Sequence, residues 1–221
     1  MTDVVRTPAQ SRRARSGLNR PKAGEVRIRV GALGLSALGV QAVGRVEAVG
    51  PEAAGFAPGD RVLYPFTAQT PGLSHIVGER DLIGFPKDVA IEQAAALLPL
   101  GLIARRVVKQ LHSIGRGNTV SVAPDSDGLS AFVAAWATHL GATIVNADAD
   151  IAIGARDYQL ARSMKNGHGT AQLAASDVFE AVRLGVFDNL SIERYPLSDA
   201  ARVTSEFASR ADGSPVVLLA A

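Results

Sequence analysis

The chain has 221 residues, of which 47% are hydrophobic and 20% are charged, the balance of an ordinary globular protein. A chain of this length can bury a substantial core in one domain or in two small ones. Because it contains no cysteine, the sequence excludes disulfides, thiolate nucleophiles and zinc–thiolate sites. No apolar run is long enough to span a membrane and the N-terminus lacks the apolar core of a secretory signal, so we expect a cytoplasmic protein without membrane contact.

Charge is unevenly distributed along the chain. The formal net charge is +2, but residues 1–20 hold five arginines and one aspartate, so the remainder is slightly negative. Residues 1–23 also lack hydrophobic periodicity, and we interpret them as a basic, flexible tail. Arginines without aromatic residues or a folded motif are weak evidence for nucleic-acid binding, so we do not expect a nucleic-acid partner.

The first part of the chain is predicted to be rich in β-strands. Residues 25–30 alternate strictly between apolar and charged side chains, which indicates a half-buried antiparallel strand. Apolar segments between turn sequences predict further strands: 43–49, 61–64 and 73–77. Asp88 is suited to cap a helix that begins near Ile91, and a second helix, 100–111, is predicted to start after Pro99.

Residues 119–148 form the segment on which a functional assignment depends. A β-branched run is followed by a turn from Pro124 to Gly128, and then by apolar residues at helical spacing: Leu129, Phe132, Val133, Trp136 and Leu140. Gly141 marks the expected helix end, and 143–145 is predicted to be a second buried strand. Strand, turn, helix and strand in this order are typical of the first half of a dinucleotide-binding fold.

Beyond this segment the apolar pattern weakens. We predict a helix at 158–165 and a break at 166–169. Two further helices are predicted at 176–184 and 199–210, followed by a closing apolar strand at 215–219. Ser176 and Ser198 are the expected N-caps of the two later helices.

Several linked motifs resemble the medium-chain dehydrogenase/reductase superfamily, in its zinc-free quinone oxidoreductase and enoyl reductase branch. The matching segments are a first strand with its turn, a VGRVEAVGP strand, a GFAPGDRV segment and an EQAAALLPLGL helix: 24–35, 43–51, 55–62 and 92–102. The C-terminal helices and the last strand also match. Order and spacing agree over most of 24–145 and 173–220.

The resemblance implies an α/β protein with a GroES-like β-rich domain and a Rossmann-like α/β domain. The first would be discontinuous, built from 24–103 and 174–221, and the second would occupy 104–173. The chain is shorter than the family pattern, which implies a reduced Rossmann domain without most of its second half. The family's substrate loop is also shortened, to 36–42, with Ser36 where the family tends to have asparagine.

The turn after the first Rossmann strand departs from the family pattern A-x-x-G-G-V-G, in which glycines let the backbone approach the cofactor pyrophosphate. Here the run 123–130 keeps only Gly128 and carries Asp125 and Asp127. The repulsion between two like charges about 4 Å apart costs about 4 kcal/mol at an effective dielectric of about 20. This is a large part of the roughly 8 kcal/mol binding free energy of a micromolar ligand. The same aspartates, or Ser126, are good N-caps for the helix that follows. We therefore expect no bound cofactor.

A nicotinamide cofactor is the alternative. If NADPH or NADH binds, Gly128 and Ser126 of the turn would contact it. Asp148 lies about twenty residues further on, where an acidic residue can hold the ribose.

Three residues are candidates for catalysis. His75 aligns with the family's strand on the substrate side, Tyr64 follows the GDRV segment toward the cleft, and Ser36 stands in the shortened substrate loop. Core packing is an equal alternative for Tyr64. The four histidines are not spaced like metal ligands, so we expect no metal site.

Three functions are compatible with these patterns. The first is a degenerate reductase-like protein that has lost NAD(P)H-dependent hydride transfer and uses the interdomain cleft for small-molecule binding, or for cofactor-free chemistry of the cyclase or isomerase type. The second is an NAD(P)H-dependent quinone or enoyl oxidoreductase. The third is a non-catalytic homodimeric scaffold, because the loss of sheet strands should expose an edge that can pair with a second copy.

Overall fold

A computed structural model describes residues 20–66, 73–164, 168–207 and 213–220 of the chain. Most of the tail predicted at 1–23 lies outside the described residues. The strands are β1 Glu25–Ser36, β2 Gly39–Val49, β3 Arg61–Phe66, β4 Ser74–Gly78, β5 Ile83–Gly84, β6 Thr119–Val122, β7 Thr143–Ile144, β8 Ile151–Ile153, β9 Glu193–Pro196 and β10 Val216–Leu219. The helices are α1 Ile91–Arg105, α2 Leu129–His139, α3 Ala155–Ser163, α4 His168–Arg183 and α5 Ala200–Phe207, with a π-helical segment at Arg106–Leu111.

The larger sheet has seven strands and joins distant parts of the chain. Its order is β5-β3-β2-β1-β10-β9, and β4 pairs with the first half of β1. β1 and β2 form a long hairpin, and both extend beyond the predicted strands at 25–30 and 43–49. β10 pairs antiparallel with the second half of β1, from Ala32↔Leu219 to Leu35↔Val216. The sheet is therefore built from both the early and the late part of the sequence, as the family resemblance implies.

The alternation predicted for β1 is confirmed, and it creates the core of this sheet. Val26, Ile28 and Val30 are buried, whereas Arg29 is exposed. The buried side chains pack in one apolar cluster with residues from β2, β3, the segment between these two strands and the segment before β5: Ala42, Val46, Ala53, Val62, Tyr64 and Leu82. Tyr64 is thus enclosed on the inner side of the sheet.

Helix α1 is continuous, so the prediction of two helices separated at Pro99 is wrong. Pro99 has no N–H to donate to the carbonyl of Ala95, four residues earlier. Burial of ten residues of α1 offsets this lost hydrogen bond. The Ala95 carbonyl faces β1 at Gly34, where a Cβ would overlap the carbonyl oxygen. The glycine therefore lets α1 lie directly on β1.

The smaller sheet is the predicted Rossmann-like half. Its three parallel strands lie in the order β7-β6-β8. β6, α2 and β7 confirm the strand, helix and strand predicted within 119–148, whereas the pattern did not predict β8. β7 is exposed at both of its residues, so the prediction that this strand is buried is wrong. On the inner side of α2, Trp136 and Phe132 pack against the ring of Phe187. Together the two sheets confirm the predicted α/β class.

α3 and α4, the first two helices after β8, begin earlier than predicted. α4 starts at His168, so part of the predicted break is helical; residues 165–167 lie outside the described ranges. Ser176 is not an N-cap, because it lies within α4 and its hydroxyl donates to the Gln172 carbonyl. Ser198 belongs to a short 3-10 turn before α5. Over the residues that are described, none of the helices has the length and apolar character needed to cross a bilayer.

The boundaries predicted between the domains fall inside helices. The boundary at 103/104 lies within α1, and the boundary at 173/174 lies within α4. Both helices pack on each other and on the larger sheet, and one continuous apolar cluster includes residues of both sheets. The β-rich and Rossmann-like parts therefore share a core.

Candidate functional site

The carboxyl ends of β6 and β8 border a crevice of about 680 Å³. The order of strands reverses here, because β6 lies between β7, the next strand in sequence, and β8. Open parallel sheets bind their ligands at such a reversal. The crevice is lined partly by polar groups, among them Ser121, Asn146, Arg156 and Asp157. Arg156 is exposed. The crevice therefore offers a guanidinium and an amide to a ligand.

The turn between β6 and α2 is closed by its own carboxylate. Asp125 Oδ1 accepts a hydrogen bond from the backbone N–H of Ser130 at 2.8 Å, and Oδ2 accepts one from Leu129 at 3.2 Å. Gly128 adopts a φ of 77°, which glycine tolerates without strain. Gly128 holds the N-cap position, so the predicted N-cap at Asp125, Ser126 or Asp127 is displaced, but the Asp125 side chain does accept the first N–H groups of the helix. The first N–H groups of α2 are therefore already satisfied within the chain.

Arg162 of α3 partly neutralises this turn. Its Nη2 lies 2.6 Å from Asp127 Oδ2 and 3.8 Å from Asp125 Oδ2. The hydroxyl of Ser126 also donates to Asp127 Oδ1, at 3.1 Å. No pattern in the sequence marks Arg162 as part of the site. The Arg162–Asp127 contact joins residues 35 positions apart, and it depends on how α3 packs beside the turn.

The first turn of α3 is capped in a similar way. Asp157 Oδ2 accepts a hydrogen bond from the N–H of Gly154 at 2.9 Å, and Oδ1 lies 2.9 Å from His112 Nε2. Burial favours the protonated acid, but hydrogen bonds from Gly154 and His112 outweigh it and hold the pKa of Asp157 below its usual range. Next to it, burial and then the charges of two nearby aspartates raise the pKa of Tyr158 to about 12.

These contacts determine how a dinucleotide would fit. A pyrophosphate is normally held by free N–H groups at the start of the first helix, and Asp125 occupies them here. The backbone at 127–128 is covered as well, because a Cβ at Gly213 would overlap it. Asp148, the ribose candidate, is exposed and is not among the residues that line the crevice. The turn therefore does not fit a pyrophosphate in the usual manner, whereas the crevice beside it is open.

Tyr64 and His75 meet inside the larger sheet. The Tyr64 hydroxyl lies 2.9 Å from His75 Nδ1, and both side chains are buried. The ring of Phe66 stacks on His75, with 5.1 Å between centroids. These residues line a cavity of about 420 Å³ that extends to Asp81. Burial raises the pKa of Tyr64, so its hydroxyl stays protonated at neutral pH. The pair satisfies two buried polar groups and also borders open space.

Ser36 lies in a different cavity, of about 320 Å³, which Ser126 and Asp127 also line. Its hydroxyl accepts a hydrogen bond from the N–H of Leu38 at 3.2 Å. The structure thus places Ser36 close to the turn and Tyr64 next to His75. Ser36 lines one cavity, and Tyr64 and His75 line another. No three histidine, aspartate or glutamate side chains of the described ranges gather as metal ligands would.

Comparison with known proteins gives sequence relatives that include two oxidoreductases. The chain is similar to a quinone oxidoreductase of Pseudomonas aeruginosa, at 34% identity over 113 residues that cover 50% of this chain and 34% of the relative. A 2-haloacrylate reductase of a Burkholderia species is 31% identical over 113 residues, 49% of this chain and 33% of that protein. Each match therefore spans about one third of the relative's length. No protein-family model matches the chain.

Solved structures show the same fold over nearly the whole chain. The Escherichia coli quinone oxidoreductase complexed with NADPH superposes with a TM-score of 0.68 at 17% identity, covering 98% of this chain and 94% of that one. At this identity the likeness concerns the fold alone. It confirms the predicted combination of a GroES-like part with a Rossmann-like part.

Proposed function

We propose a reductase-type function for this chain, whose fold and sequence relatives are those of the quinone oxidoreductase and enoyl reductase branch of the medium-chain dehydrogenase/reductase superfamily. The proposed substrate is a small compound with a conjugated carbonyl group, such as a quinone, an enoyl compound or 2-haloacrylate. The proposed electron donor is NADPH, which when bound would supply the hydride. The observation that carries the proposal is the open crevice at the carboxyl ends of β6 and β8, in a chain similar to known reductases.

Arg156 and Asn146 are the residues of the crevice best suited to hold a nucleotide. Because Asp125 occupies the first N–H groups of α2, phosphate oxygens would depend on a side-chain cation. The guanidinium of Arg156 can form charge-assisted hydrogen bonds to phosphate, and the amide of Asn146 can both donate and accept. Nucleotide binding would therefore be weaker than at an unoccupied glycine-rich turn.

The predicted catalytic residues are candidates for contacts with the substrate. Ser36, beside the turn, has a hydroxyl that can donate to a carbonyl oxygen. Tyr64, paired with His75, carries a protonated hydroxyl next to a cavity. Phe66 borders that cavity and also an apolar groove of about 520 Å³ that runs along Leu33 and Leu35. The groove suits an apolar part of a substrate.

Cofactor titration tests the proposal. NADPH and NADH are added separately while the fluorescence of the single tryptophan and the thermal unfolding of the protein are followed. A nucleotide at a hundred times its dissociation constant should stabilise the fold by about 2.7 kcal/mol, and Arg156→Gln should weaken the effect. Addition of a quinone, an enoyl compound or 2-haloacrylate should then oxidise the nucleotide. Absence of a shift with both nucleotides, together with no oxidation, would rule out the reductase function.

A second candidate function is cofactor-free small-molecule binding, or chemistry of the cyclase or isomerase type. The observation in its favour is that Asp125 already fills the position at the start of α2 where a pyrophosphate would bind. It predicts that the protein binds conjugated carbonyl compounds equally well with and without nucleotide.

A homodimeric scaffold is a third candidate. β7 is one of the two outer strands of the smaller sheet, and Ile144 at this edge is an exposed large hydrophobic residue. An open edge with an exposed apolar side chain can pair with a second copy. Sedimentation as a concentration-independent monomer would exclude this arrangement.

A further inference from the structure

We infer that Arg162 and the first N–H groups of α2 form a phosphate-type anion site that Asp125 and Asp127 occupy from within the chain. The nature of the competing ligand, a nucleotide phosphate, rests on the proposed function. The internal carboxylates would make nucleotide affinity depend on two residues that do not line the crevice. We call this set, Asp125, Asp127, Arg162 and the N–H groups of Leu129 and Ser130, the internal anion site.

The backbone half of the internal anion site is the start of α2. Asp125 receives two N–H hydrogen bonds, one on each carboxylate oxygen, at 2.8 and 3.2 Å. These groups point along the helix axis, where the helix dipole also favours negative charge. A phosphate oxygen requires the same donors and the same field. Asp125 therefore accepts the hydrogen bonds that a ligand phosphate would otherwise accept.

The side-chain half is Arg162, which lies between the two aspartates. It contacts Asp127 at 2.6 Å and lies 3.8 Å from Asp125, and its side chain is partly exposed at 29%. Asp127 shares its other oxygen with the hydroxyl of Ser126. The nearby ionisable groups on the adjoining helix are Tyr158, whose pKa the negative charge of Asp125 helps to raise, and Asp157. A guanidinium held in this way binds carboxylate and phosphate by the same geometry.

Charge explains why the site excludes a nucleotide while both aspartates are present. A phosphate approaching the start of α2 would meet Asp125 at contact distance and would have to draw Arg162 away from Asp127. Replacing the two carboxylates by neutral amides of the same shape would weaken their hold on the two backbone donors and the guanidinium and would remove the charge repulsion, so a phosphate could displace the amides. The internal anion site would then bind a phosphate group in their place.

The test compares wild-type protein with Asp125→Asn/Asp127→Asn. Asparagine keeps the size of each side chain and an oxygen that can still accept an N–H hydrogen bond, so the fold should survive; thermal unfolding checks this. We expect NADPH to bind the double variant at least tenfold more tightly than wild type, and inorganic pyrophosphate to raise the melting temperature of the variant only. Adding Arg162→Gln to the double variant should remove the gain.

A matched control is Asp150→Asn. Asp150 lies at the opposite end of β6, where it accepts hydrogen bonds from the N–H and hydroxyl of Thr119. Its neutralisation changes the net charge without touching the internal anion site, so NADPH affinity should stay at the wild-type value. A similar gain in this control would show a general charge effect and would overturn the inference.

The remaining outcomes separate the inference from the proposed function. Equal NADPH affinity of wild type and double variant would overturn the inference, even if both reduce a quinone. Tight NADPH binding by the double variant, lost with Arg162→Gln, would support it even if neither protein oxidises the nucleotide, and in that case the reductase proposal alone would fail.

Discussion

Gly34 is the residue at which the larger sheet meets α1. A Cβ there would overlap the carbonyl oxygen of Ala95, and backbone on a buried helix cannot move aside as a flexible side chain can. Gly34→Ala should therefore destabilise the protein by about 1–3 kcal/mol, the range for overpacked cores. Denaturant unfolding measures the loss. Gly115→Ala is the control, because no atom lies within 4 Å of the place that its added methyl group would take; an equal loss there would show that backbone entropy, rather than contact, is responsible.

Residue chemistry is more predictable from sequence than residue contacts are. Capping of α2 by an aspartate follows from short polar side chains just before a helix, although Gly128 holds the N-cap position and Asp125 accepts the hydrogen bonds from three residues before it. Tyr64 and His75 are separate candidates in the sequence, but their hydrogen bond depends on the way strands β3 and β4 face each other. Arg162 escapes prediction because no local pattern links it to a turn 35 residues earlier.

Capping of α3 is an element-scale feature with a defined pH dependence. The pKa of Asp157 is lowered in the folded protein, so its contribution to stability is present above its unfolded pKa of about 4 and is lost as pH falls through the folded value. At neutral pH, Asp157→Asn should cost about 1 kcal/mol. In acid the difference from wild type should shrink, as measured by denaturant unfolding at several pH values.

The control for this experiment is Asp148→Asn, which removes the same charge from an exposed position in the same part of the chain. It should leave stability nearly unchanged at every pH. A pH-independent difference between wild type and Asp157→Asn would contradict a role for the ionised carboxylate.

Sequence patterns identify long elements and miss short or interrupted ones. Alternation and helical spacing predict β1 and α2 because each has enough residues to reveal its period. β8 has three residues, too few to show a period. Pro99 suggests a helix break, but burial of most of α1 overrides the local cost of proline. Gly169 and Ser176 likewise suggest boundaries, although both lie within α4.

At the scale of the whole molecule, the larger sheet depends on strand β10. It lies between β1 and β9, and Val216, Val217 and Leu218 are buried. A chain that stops before Gly213 should therefore lose cooperative thermal unfolding, followed by near-ultraviolet circular dichroism. A synthetic peptide of residues 213–221 should restore it by pairing with β1. A shortened chain that melts like the full one would show that β10 is dispensable.

The position of β10 also has a consequence for the order in which the protein is completed during synthesis. All strands of the smaller sheet have left the ribosome once Ile153 emerges. The second half of β1, in contrast, has no β10 to pair with until residues 216–219 have been synthesised. Domains generally fold as their residues become available. The nascent protein therefore carries an unpaired β1 edge long after the Rossmann-like half can close, and that edge is where premature association would begin.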